Sequence, residues 1–92
     1  MSIGLQIAIR QTDNQEESVV YQFFVRAGRG GLAVAQPTGR PGLLRLFKST
    51  GEVELLAPCP DDHDDLLLSR VVSKLKRHWT SGELPQVTWW AG

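Results

Sequence analysis

Ile3, Leu5, Ile7 and Ile9 alternate with Gly4, Gln6, Ala8 and Arg10, and Val19, Tyr21, Phe23 and Val25 repeat the pattern after a polar interval. A period of two puts alternate side chains on one face of a strand. Two such runs commit the chain to a sheet whose apolar face needs a second layer. Phe24 and Val20 share the other face of the second run, which is therefore expected to be partly covered as well.

The second layer comes late in the chain. Leu68, Val71, Val72, Leu75 and Trp79 fall at helical spacing, with Leu67 on the edge of the stripe. Arg70, Lys74 and Arg77 read as the opposite, solvated stripe. Asp61 or Asp62 supplies an oxygen to cap the free N–H groups of the first turn, and Gly82 is a plausible stop. Between strands and helix, Asp13 to Glu17 reads as a turn and Ala27-Gly28-Arg29-Gly30-Gly31 as a hairpin connection. Leu32 to Gln36 reads as a short strand and Pro37 to Gly42 as a proline-broken loop. Leu43 to Lys48 and Glu52 to Ala57 read as strands joined through Ser49-Thr50-Gly51. The tail around Trp89-Trp90 reads as a last edge strand or an arm on the core. The expectation is an α+β fold: a small, largely antiparallel sheet of about four to five strands with one long amphipathic helix packed on one face. The 92 residues make a single domain, 1–92.

Formal net charge is zero, with ten basic and ten acidic residues, so bulk charge selects no partner. The layout is polar instead. Arg26, Arg29, Arg40, Arg45 and Lys48 occur in a stretch without acids; Asp61, Asp62, Asp64 and Asp65 flank His63; Arg70, Lys74, Lys76 and Arg77 follow. Patches of this kind decide where partners dock. The single cysteine excludes an internal disulfide and suits a reducing compartment. The alternating amino terminus has no secretion-signal pattern, and no apolar run approaches the ~20 residues of a membrane span. A soluble, cytoplasmic chain with no membrane partner is expected.

Motifs of known chemistry are missing. Gly28-x-Gly30-Gly31 lacks both the Gly-Lys-Ser/Thr ending and the following helix of a phosphate loop. Cys59 and His63 are four residues apart, but prolines flank the thiol and the nearby aspartates oppose a thiolate. One cysteine without Cys-x-x-Cys does not make a structural zinc site, and the acids lack calcium-loop spacing. No catalytic residue, metal or cofactor is assigned.

The remaining function is binding. Arg26, Arg29, Arg40, Arg45 and Lys48, the helix residues Arg70, Lys74 and Arg77, the acids Asp61, Asp62, Asp64 and Asp65, and Trp90 are the candidate partner-binding residues. Guanidinium groups suit phosphates and carboxylates, and tryptophan suits interface pockets. The partner expected is a protein or a ribonucleoprotein complex, with contact to RNA or DNA backbone through the arginines. A small nucleic-acid-binding module is the alternative, opposed by the zero net charge, and a small enzyme subunit is a further one. In size and organisation the chain resembles the small inhibitors that phages encode against host defence, among them the anti-CRISPR proteins. The resemblance implies a protein that occupies a basic or RNA-bearing surface of a CRISPR effector. In that setting the arginine hairpins would approach guide RNA, and Asp61, Asp62, Asp64 and Asp65 would meet effector lysines and arginines.

Overall fold

A computed structural model describes residues 6–25, 40–60, 62 and 65–91. It contains β1 (Gln6–Asn14), β2 (Ser18–Val25), β3 (Gly42–Phe47), β4 (Val53–Ala57), α1 (Leu66–Ser81) and β5 (Val87–Ala91). The strands form one sheet in the order β4-β3-β2-β1-β5, and every neighbouring pair is antiparallel. The α+β expectation holds, with five described strands and one helix. The expected hairpin of residues 27–31 and the strand Leu32 to Gln36 lie outside the described residues, as do Arg26, Arg29, Asp61, His63 and Asp64.

Register sorts the side chains. Ile7, Ile9, Tyr21, Phe23, Val19, Leu44 and Leu46 point to one face and are almost fully buried there, beneath Leu67, Val71 and Leu75 of α1. Leu67 therefore sits at the centre of the helix stripe rather than on its edge, and Leu68 and Trp79 pack on the margin. On the opposite face Ala8 and Phe24 are also buried. Arg10 lies over the Phe24 ring, and its guanidinium donates to the Gln22 side-chain oxygen.

β1 runs further than its composition suggests, through Asp13 and Asn14. Pairing slips between Gln11 and Asp13, so Thr12 is an extra residue on this strand. A bulge of this kind keeps a polar segment in the ladder, with Asp13 opposite Val20 and Asn14 opposite Val19. The turn is confined to Gln15–Glu17. Lys48 closes this end of the sheet, donating from its ammonium to the Asn14 side chain and the Gln15 carbonyl. It ties two turns together, a structural task for a residue the sequence nominates for docking.

The helix start is built by Asp62. Its carboxylate accepts from the amides of Leu67 (2.7 Å) and Leu68 (3.0 Å), satisfying two donors that no turn of helix precedes. Asp65, the residue at the cap position, has φ 57° and makes no side-chain cap bond. Asp62, nominated from the sequence for a partner, thus serves the helix start. Asp62→Ala should cost about 1–2 kcal/mol, typical of a lost cap, read as a lower urea midpoint. An unchanged midpoint would remove this role. At the other end Gly82, at φ 85°, donates to Trp79 and closes the helix.

Candidate functional site

Among the described strands β5 is outermost, next to β1, and α1 packs beside it. Register pairs Ile7 with Trp90 and Ala8 with Trp89, so the adjacent tryptophans point to opposite faces. Trp90 packs under the helix and is half-buried, whereas Trp89 is 52% exposed. Trp89 is thus the more exposed of the two, while Trp90, nominated from the sequence, is half-buried on the helix side. The Arg70 guanidinium stacks 4.3 Å from the Trp90 ring centroid, a contact that holds a cation on an aromatic face.

Arg70, Lys74 and Arg77 are not opposite the apolar stripe. They form its flank on the β5 side. Ser73, Lys74, Arg77, Trp89 and Trp90 line a cleft of about 230 Å³ between helix and edge strand. From Leu66 to Ala91 the sequence has one acid, Glu83, against Arg70, Lys74, Lys76 and Arg77. Among the described residues Arg70, Lys74 and Arg77 have no carboxylate partner; the ion pair found there joins Arg45 to Glu54 at 3.5 Å across β3 and β4. The Arg70 Nε is buried and has no hydrogen-bond partner among them.

The other nominated residues are dispersed. Arg45 is paired and Lys48 clamps the turns, while Arg40 is exposed beside the start of β3. Its carbonyl lies 3.9 Å from the buried Cys59 sulfur. Asp65 is exposed at the helix start, away from the cleft. Among the described residues no three His, Cys, Asp or Glu side chains gather as a metal site, and no helix is long and apolar enough to cross a membrane. A depression of about 550 Å³ at the turn end is lined by Glu16, Glu17, Phe47, Lys48 and Ser49. Its charges are mixed, and its cation is already bonded.

His78 joins the helix to β5. Its Nε2 lies 3.2 Å from the hydroxyl of buried Thr88. Burial pushes its pKa below the ordinary histidine value, and Lys74 and Arg77 push the same way against Glu83. A base with a lowered folded pKa favours the neutral form, so its contribution is complete above pH ~6.5 and is lost as pH falls toward the folded value. The urea midpoint of the wild type should therefore drop more between pH 7.5 and 5.5 than that of His78→Gln. Parallel profiles would contradict it.

No family model matches the chain, and no curated protein and no solved structure matches it. What the fold and the cleft define is a class: a small antiparallel α+β domain with a cationic flank that, among the described residues, has no carboxylate partner and lies beside the outermost strand.

Proposed function

We propose that this is a small binding protein without catalytic activity that docks on a macromolecular partner through the α1–β5 edge. One observation supports the reading: Arg70, Lys74 and Arg77, which have no carboxylate partner among the described residues, border the outermost described strand on the face where Arg70 stacks on the Trp90 ring. Arginine and tryptophan side by side, as Arg70 and Trp90 are, are the usual ingredients of an interface hot spot. Of the described cations that the sequence nominates on the hairpins, Arg45 is paired with Glu54, Lys48 is bonded to the turns and Arg40 stands exposed by itself, so we assign the docking role to the helix flank, where three cations gather. The inhibitor form of the proposal, a phage-encoded protein set against a CRISPR effector, rests on size and organisation alone and names a ribonucleoprotein as the first partner class to test.

The nucleic-acid module is the weaker reading. Trp89 projects from the face opposite the helix, and a base stacked there would need cations on that face. Its described cations are Arg10, held on Phe24 and Gln22, and Arg45, paired with Glu54. Binding should be tested with the tagged chain and a partner captured from the host lysate. Lys74→Glu with Arg77→Glu should lower affinity at least ten-fold, while Arg40→Glu with Arg45→Glu should leave it within about three-fold. The reverse ranking would return the interface to the hairpin side.

A further inference from the structure

One hydrogen bond sets the phase of β5. The Gln11 amide donates to the Gln86 carbonyl at 2.8 Å, and this pair continues the register that sets Ile9 against Thr88 and Ile7 against Trp90. Antiparallel pairs alternate between exchanging both backbone bonds and exchanging none. Gln86, Thr88 and Trp90 therefore turn their N–H and C=O groups toward β1. Val87, Trp89 and Ala91 turn theirs outward, to an edge where no described strand pairs.

Exposed edges are ordinarily blunted by lysine, proline or inward-pointing charge. β5, Val-Thr-Trp-Trp-Ala, has none of these. A strand added there would be sorted by its own period of two. Alternate side chains would enter the cleft beside Arg70, Lys74 and Arg77, and the intervening ones would lie against Val87 and Trp89 on the opposite face. The cleft has cations and no acid among its lining residues, so the first set would be acidic. The second set meets apolar surface.

We propose that the outer edge of β5 is a strand-addition site for an extended protein segment in which acidic residues alternate with apolar ones. This rests on the docking reading above and narrows it to one mode: main-chain pairing supplies the affinity, and the alternating side chains supply selectivity. A nucleic acid has no backbone donors and acceptors at strand spacing, so it would leave the Val87 and Trp89 amides unpaired.

The test titrates the full isotope-labelled chain with a capped nine-residue peptide alternating valine and glutamate. Amide exchange at Val87 and Trp89 should slow at least ten-fold at saturation, while Thr88 and Trp90, already bonded to β1, should not change. Methylating alternate peptide amides should abolish binding in one phase and preserve it in the other. Replacing glutamate by lysine in the peptide should also abolish it, and Lys74→Glu with Arg77→Glu should weaken it at least ten-fold. Absence of binding, equal effects of the two methylation phases, or unchanged exchange at Val87 and Trp89 would overturn strand addition. Tighter binding of a twelve-nucleotide oligothymidylate would overturn it in favour of nucleic acid. Binding that needs Lys74 and Arg77 without edge protection would sink strand addition and leave the cationic docking surface standing. That surface falls separately, if capture of the partner survives the double charge reversal.

Discussion

Gly42→Ala should lower folding stability by about 3 kcal/mol, at the upper end of overpacking costs. Gly42 opens β3 directly opposite Phe23. A methyl group there would lie 2.2 Å from the tip of the Phe23 ring and within 2.7 Å of both its neighbouring atoms. The ring is completely buried among Ile9, Tyr21, Leu44 and the helix, so it has no solvent into which to retreat. For a domain of this length, total stability is on the order of 5–14 kcal/mol, and the loss should be plain in a urea midpoint. Phe23→Leu also costs stability by itself, yet the pair should be less destabilised than the sum of the two, because the shorter side chain removes the collision. A strictly additive pair would refute the proposed contact.

Gly51→Ala should cost about 2–3 kcal/mol through two separate effects. Gly51 has φ 75°, in the left-handed region that an alanine adopts only with strain, and its missing Cβ would stand 2.8 Å from the Trp79 ring. Trp79 cannot simply swing aside, since its indole N–H donates to the Lys48 carbonyl at 2.7 Å. The turn and the end of the helix are thus one packed unit. Thermal unfolding should show the loss, accompanied by a shift in Trp79 emission. A change below about 0.5 kcal/mol, the range of ordinary surface substitutions, would show that the turn and helix end are not so coupled.

Local signals were legible where one physical rule acts alone. The alternation in Val19–Val25, the Gly51 turn, the Gly82 stop and the helical stripe each appear in the structure near their expected places. β1 was misjudged at its far end because composition marks Asp13 and Asn14 as turn formers, whereas a bulge at Thr12 keeps them paired. The two tryptophans have equal apolar weight, so no local rule says which faces in; the pairing of β5 with β1, remote in sequence, decides it.

The cationic flank was misread by geometry rather than chemistry. At about 100° per residue, Lys74 stands only about 60° around the helix from Val71, at the border of the apolar stripe. That signal was present in the spacing and points to the β5 side once the tail is a strand. The commitments of Asp62 to the helix start and of Lys48 to the turns depend on contacts that sequence spacing does not carry.

The proposed docking through the α1–β5 cleft carries a direct electrostatic prediction. Affinity for the captured partner should be measured from 50 to 300 mM salt for the wild type and for Lys74→Ala with Arg77→Ala. Screening shortens the reach of exposed charges over this range, so the wild type should weaken steeply and the variant should start weaker and depend less on salt. Identical affinities and identical salt dependence in the two proteins would contradict the cleft as the docking surface.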